Sequence, residues 1–181
     1  LENLIVQSDE FDEVDFYYSK NMMEENTDGS YTRKALVSGM YLYLAKKGDA
    51  ITPRVVFTYR GEDWIFYDSI RIKAGETIYE IPINRSEIDR DVVSGGVIER
   101  CDIVATQEIL DIADEIIKNY DVILRFEGDK KETIDLNKSK QIYEYEWVGD
   151  HLVSTEKQTP TQLEIIKDVL IPYQTIINKK N

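Results

Sequence analysis

The chain holds one histidine, His151, and one cysteine, Cys101, and these two residues bound its covalent chemistry. A His-dependent nucleophilic triad would have to rest on His151, which follows Gly149-Asp150 in an expected turn, far in sequence from Cys101. An exposed turn histidine is the plainer reading. Cys101 falls in a strand pattern between Arg100 and Asp102 with no base beside it, so a structural thiol is expected rather than a nucleophile. One His and one Cys also exclude the usual zinc sites, which draw most of four ligands from those two types. No Walker loop, GxGxxG, GxSxG or HExxH segment occurs. No catalytic residue, metal ligand or cofactor is therefore expected from motifs.

Carboxylates are abundant: 35 Asp and Glu stand against 22 Lys and Arg, a formal charge of −13. A field of that sign repels nucleic-acid phosphates and anionic membrane surfaces. Basic residues cluster in sequence as no more than pairs, among them Lys46-Lys47, Lys130-Lys131 and Lys179-Lys180, without interleaved aromatics, so no nucleic-acid partner is expected. Asp9, Glu10, Asp12, Glu13 and Asp15 are dense enough to raise calcium. Yet no D-x-[DN]-x-[DN]-G loop occurs, and charge runs near chain ends are ordinarily solvated. Two acids facing across a cleft could hydrolyse a glycosidic bond, and Asp63, Asp68, Asp89 and Asp91 are the acids to place in space. The chain also has twelve tyrosines. Tyr41 and Tyr43, and Tyr143, Tyr145 and Trp147, are the candidate binding residues of an exposed aromatic face. The competing expectation is that such rows line the core or pad a sheet beneath a helix.

The elements that must position these residues are mostly strands. At 181 residues, 42% apolar and 31% charged, the chain fits one folded domain over 1–181. No stretch approaches the ~18 apolar residues that span a bilayer as a helix. Residues 1–13 read as a polar, acidic lead-in and 20–33 as a loop. Val14-Asp15-Phe16-Tyr17-Tyr18 reads as a first strand with Val14, Phe16 and Tyr18 on one face. Met40, Leu42 and Leu44 alternate with Tyr41, Tyr43 and Ala45, so both faces are apolar, as in a central strand. Val55, Phe57 and Tyr59 alternate with Arg54, Val56 and Thr58. Trp64, Phe66, Ile70 and Ile72 follow at even spacing, then Thr77, Tyr79, Ile81 and Ile83. Four such strands predict an antiparallel meander in a sandwich or covered sheet. Ser94-Gly95-Gly96 is a turn before a strand over 97–104.

The period then changes. Ile109, Ile112, Ala113, Ile116 and Tyr120 recur at helical spacing behind Thr106 as N-cap. Val122, Leu124 and Phe126 resume alternation, ending at Gly128-Asp129. Residues 133–136 and 141–148 are expected to pair as a hairpin. A final helix opens at Thr159-Pro160-Thr161-Gln162, with Thr159 as cap and Leu163, Ile166, Val169, Leu170 and Tyr173 as its apolar stripe; Pro172 should kink or end it. The expected class is mainly β with two helices (α+β), an antiparallel sandwich-like core with one helix between strands and one at the C-terminus.

One stretch stands out. Gly61-Glu62-Asp63-Trp64-Ile65-Phe66, preceded by Phe16-Tyr17-Tyr18 and the strand from Arg54, is followed by Gly75 and Tyr79 to Pro82. Further on come Arg90-Asp91, Gly95-Gly96, Glu99, Ile112-Ala113 and Val122-x-Leu124-Arg125-Phe126-x-Gly128. This pattern over residues 14–136 resembles a domain family without an assigned activity in secreted and lipid-anchored bacterial proteins, mainly of Gram-positive and gut types. Residues 137–181 add a hairpin and the last helix. The resemblance implies an extracytoplasmic protein, anchored through a lipidated N-terminal cysteine outside this chain, which begins at Leu1. The expected function is a non-catalytic binding or interaction module of the cell envelope, with a protein or carbohydrate partner at the cell surface. An acid-pair hydrolase of envelope glycans or peptides, or a structural spacer, are the alternatives. Within the corner, Trp64 should plug the core, Gly61 should free the backbone bend, and Asp63 should pin the turn. Arg125 and Gly128 complete the expected structural set.

Overall fold

A computed structural model describes residues 2–33, 38–138, 141–148, 151–158 and 161–180, and the side chains of these except at 33, 141–148, 151–158 and 180. The strands are β1 (Leu4–Asp9), β2 (Val14–Ser19), β3 (Met23–Glu25), β4 (Tyr31–Arg33), β5 (Gly39–Lys47), β6 (Ala50–Gly61), β7 (Ser69–Ala74) and β8 (Thr77–Pro82). They continue with β9 (Ile88–Val93), β10 (Gly96–Val104), β11 (Val122–Glu127), β12 (Lys131–Asp135), β13 (Gln141–Val148) and β14 (His151–Gln158). The helices are α1 (Gln107–Lys118) and α2 (Gln162–Lys180). The class is the expected one, mainly β and antiparallel with two helices.

A six-stranded sheet runs in the order β1-β2-β5-β6-β10-β9 and a four-stranded sheet in the order β12-β11-β7-β8. The remaining strands pair as two small hairpins, β3–β4 and β13–β14. The alternating residues of both sheets share one core with the helices. Met40, Leu42, Leu44, Val55, Phe57 and Tyr59 come from the larger sheet, and Ile70, Ile72, Val122, Leu124 and Phe126 from the smaller. Helix α1 adds Ile109, Leu110, Ile112, Ala113 and Ile116, and α2 adds Leu163, Ile166, Val169 and Leu170.

The apolar second face of β5 has its own partner. Tyr18, Met22, Met23, Tyr41, Tyr43 and Val56 form a second cluster, on which Phe16, Tyr31 and Ile165 pack. The Tyr18 and Tyr43 rings stack at 5.1 Å.

Several local expectations are corrected. Residues 4–9 form β1 rather than a lead-in, because Leu4 reaches the main core and Ile5 the second cluster. The stretch 20–33 contains a 3-10 turn and the β3–β4 hairpin rather than a plain loop. The four-strand meander is divided: β5–β6 and β7–β8 are hairpins of different sheets, joined by the crossing at 62–68. Residues 131–135 pair with β11, and 141–148 pair with 151–158, so the anticipated 133–148 hairpin does not form and His151 opens a strand.

The helix ends are also adjusted. Thr106 caps α1 as expected, accepting from Ile109 N at 3.4 Å, but the helix stops at Lys118 and Tyr120 is exposed. The Asn119 side chain donates to the Glu115 carbonyl at 2.7 Å, which satisfies an orphan of the last turn. Thr159 and Pro160 lie outside the described residues. The cap seen at α2 is Thr161, whose hydroxyl accepts from Glu164 N at 3.3 Å while the Glu164 carboxylate accepts from Thr161 N at 2.7 Å, a reciprocal capping box. Pro172 does not end α2, which runs on to Lys180; Gln174 donates to Asp114 of α1 at 3.3 Å beyond it.

Helix α2 is tied to the larger sheet through Asp168, which accepts from the Ser19 hydroxyl at 2.6 Å, Asn21 Nδ2 at 2.9 Å and Asn3 Nδ2 at 3.1 Å. Ser19 is fully buried. Removing that acceptor strands a buried hydroxyl, so Asp168→Ala is expected to lower unfolding free energy by about 2 kcal/mol in urea titration.

Candidate functional site

Strand β10 turns Val97, Glu99 and Cys101 toward the core, at 7%, 0% and 0% exposure. Glu99 occupies the middle of that row, where an apolar residue would be the rule. Its carboxylate is satisfied on both sides. One oxygen accepts from the backbone N–H groups of Ile65 and Phe66, both at 2.8 Å, and the other accepts from Arg90 Nε at 3.0 Å. Arg90 stands directly opposite Glu99 in the β9–β10 register.

Two successive N–H groups aimed at one oxygen make an anion-binding concavity of backbone. Here the anion is a side chain of the same molecule. Phe66 adopts φ +49 in this arrangement, a left-handed conformation that a bulky residue rarely takes. That conformation costs about 1–2 kcal/mol. Each hydrogen bond to a charged group contributes about 1.5–3 kcal/mol, so the pair outweighs it.

This turn corrects the expected role of Trp64. Regular alternation would place Trp64 and Phe66 inward, but residues 62–68 are not a strand, and Ile65 and Tyr67 are the buried residues, at 3% and 0%. Tyr67 donates its hydroxyl to the Phe57 carbonyl at 3.2 Å. Trp64 is half-buried against the rim of the core, and Phe66 is 38% exposed. Their rings stack at 5.9 Å with 27° between planes, and the Arg90 guanidinium lies 5.4 Å from the Phe66 centroid. Arg90 thereby joins the buried carboxylate to an outward aromatic shelf.

The rest of the corner is held by the other motif residues. Asp63 accepts from Trp64 N at 2.9 Å and forms an ion pair with Lys130, whose hydrogen bond holds the Asp63 carboxyl below its ordinary range. Gly61 serves a different purpose from the one expected: a Cβ there would lie 1.9 Å from the Tyr59 hydroxyl, which donates to the Asp63 carbonyl at 3.0 Å. Gly61 makes room rather than a bend. Gly128 lies flat on the corner, since a Cβ would meet the carbonyl oxygens of Phe66 and Ile65 at 2.4 and 2.6 Å. Arg125 points to the outer face of the smaller sheet, donating to Thr133 Oγ1 at 3.2 Å.

The other candidates are dispersed. Tyr41 and Tyr43 are 3% and 5% exposed within the second cluster, so they present no ligand face; Tyr43 donates to Asp102, which also accepts from Arg54 at 2.9 Å. The side chains of Tyr143, Tyr145, Trp147 and His151 lie outside the described residues. Asp68 pairs with Arg85 at 2.7 Å, while Asp89 and Asp91 are exposed on β9. Asp9 accepts from the backbone of Phe11 and Asp12, closing the β1–β2 turn. Among the described residues no group of three or more His, Cys, Asp or Glu is placed to hold a metal ion.

A groove of about 500 Å³ is lined by Tyr79, Ile112, Glu108, Asp111, Asp114 and Glu115. Its four acids stand side by side on α1 rather than facing one another across a cleft.

Cys101 is fully buried, and desolvation, with smaller contributions from Glu87, Asp102 and Asp89, pushes its thiol up to about 12 from an ordinary 9.0. The folded state therefore keeps the proton that the unfolded chain loses. Stability is expected to be insensitive to this group below pH 9 and to fall between pH 9 and about 12. Urea midpoints across that range check it. Aromatic disulfide reagents at neutral pH should label Cys101 only as fast as the chain unfolds.

Sequence reasoning named Arg90 and Glu99 only as parts of a pattern and missed their function as a pair. The available signal was an acid in the inward row of β10. Even spacing points Phe66 inward with Trp64, and nothing local announces its turn.

Fold and site thus define a mainly β, antiparallel two-sheet domain organised around a buried Glu99–Arg90 pair and an outward Trp64–Phe66 shelf. Comparison of the chain with models of protein families, with curated proteins and with solved structures gives no match in any of the three.

Proposed function

We propose that this protein is a non-catalytic binding module of the bacterial cell envelope that contacts carbohydrate through the Trp64–Phe66 shelf. The observation that carries the reading is the exposed Phe66 ring held at φ +49, stacked on Trp64 and backed by Arg90. Strained, outward aromatic residues over-determined by their surroundings are typical of ligand contacts. A flat aromatic pair suits the apolar face of a sugar ring, and the fixed turn means little ordering on binding. The envelope setting rests on the resemblance of the corner motifs, including a lipidated anchor outside this chain.

Co-sedimentation with purified peptidoglycan sacculi tests it. The wild-type chain should pellet with the sacculi and release no soluble sugar or peptide. Phe66→Asn removes the ring while keeping a residue that tolerates the left-handed turn, so its melting temperature should change little. Its affinity should fall about tenfold, the loss of one ring contact of about 1.4 kcal/mol. Equal pelleting of wild type and Phe66→Asn would refute the shelf as the contact.

A further inference from the structure

The outer face of the smaller sheet gathers cations that are scattered in sequence. With Ile70, Ile72, Val122, Leu124 and Phe126 buried, Arg71, Lys73 and Arg125 face outward. The register places Arg71 directly opposite Arg125, Arg125 opposite Thr133, and Lys131 opposite Glu127. With strands about 4.8 Å apart and same-face rows about 6.8 Å apart, Lys73, Arg71, Arg125 and Lys131 form a diagonal stripe about 17 Å long.

Like charges directly opposite on neighbouring strands are unfavourable, and this pairing occurs in a chain whose net charge is −13. The local counter-charge is incomplete. Glu127 stands 3.6 Å from each of Arg71, Arg125 and Lys131, so these three share one carboxylate, and Glu80 stands opposite Arg71 at 4.0 Å. The Glu127 oxygen that the three cations surround accepts no hydrogen bond, and Arg71 Nε, although buried, has no hydrogen-bond acceptor, the Glu80 carboxylate standing 4.0 Å from it. Charge is partly balanced here while hydrogen-bonding capacity is left unused.

We propose that this stripe is a binding site for an extended phosphate polymer, with one phosphate contacting the exposed edges of the Arg71 and Arg125 guanidiniums, outside Glu127, and its neighbours along Lys73 and Lys131. Forked guanidinium donors match phosphate oxygens in a way that a lone ammonium does not. Glu127 and Glu80 set the local charge of the stripe, and exposed charges more than a Debye length of about 8 Å away act on it only weakly. The site is separate from the aromatic shelf and stands or falls independently of it.

Calorimetric titration of the folded chain with short linear polyphosphate, at low and physiological salt, tests the proposal. Binding should weaken as salt rises, and the double variant Arg71→Gln, Arg125→Gln should lose about tenfold or more in affinity. Circular dichroism melting of the double variant checks that its fold is intact. The pair Lys46→Gln, Lys47→Gln, off the stripe, should bind as wild type does. Absence of wild-type binding at about 1 mM polyphosphate, or equal loss in the off-stripe variant, would overturn the site. Orthophosphate binding as tightly as polyphosphate would overturn the extended ligand, and tighter binding of a single-stranded oligonucleotide at matched phosphate would overturn the assignment to a simple phosphate polymer.

Discussion

Replacing Glu99 by alanine is expected to remove about 3–5 kcal/mol of stability, the largest effect of any single side-chain truncation in this molecule. The carboxylate is fully buried and three donors depend on it: Ile65 N, Phe66 N and Arg90 Nε. Truncation leaves one buried and one half-buried backbone donor without an acceptor and a largely enclosed guanidinium without its counter-ion. A small domain has only about 5–15 kcal/mol in total, so much of the population should unfold at moderate temperature. Glu99→Gln separates the contributions. Its carbonyl can still receive the two N–H groups, but its amide nitrogen meets Arg90 Nε donor to donor, so a smaller loss of about 2–3 kcal/mol is expected. Urea unfolding of the two variants against wild type measures both, and a loss below about 1 kcal/mol in Glu99→Ala would show that the corner does not depend on this carboxylate.

Gly128→Ala should be nearly as damaging by a different route. The added carbon would stand 2.4 Å from the Phe66 carbonyl oxygen and 2.6 Å from that of Ile65. Both are backbone atoms of a turn already pinned by Glu99, so neither can swing aside as a side-chain end would. A loss of about 3 kcal/mol is expected, at the upper end for one extra methyl in a packed interior. Gly95→Ala is the control: its φ is +82 with nothing within 4 Å of the added carbon, so only the conformational cost of about 1–2 kcal/mol applies. Because Gly128 and Glu99 both hold the Ile65–Phe66 peptide, one at its carbonyl and the other at its N–H, their losses should not add. A double-mutant cycle should return a coupling of about 1 kcal/mol or more, and strict additivity would mean that they hold different structures.

The corner shows why the site was only partly legible. Each strand's alternation was readable because side chains on a pleated strand face opposite sides in turn, whatever the partner. β5, β6, β10 and β11 follow it residue by residue. At 64–67 the rule predicted an inward Trp64, whereas the acceptor that turns the backbone, Glu99, lies 34 residues away from Ile65. No local pattern carries that information. The Tyr41–Tyr43 row was legible as apolar on both faces, but its burial depended on Met22, Met23 and Tyr31 folding over it from a segment whose composition resembles a loop.

By itself, then, the sequence determined the class of the fold, the two helices and their inward stripes, and the facing of most strands, because these follow from short-range periodicity and capping. It also excluded the familiar zinc and motif-based catalytic sites, which need residue types this chain hardly has. The tertiary structure alone decided which strands share a sheet, which way Trp64 and Phe66 face, and the assembly of Arg71, Arg125, Lys73 and Lys131 into one stripe. Those outcomes depend on contacts between residues far apart in the chain, where a buried charge selects its donors and register selects its neighbours.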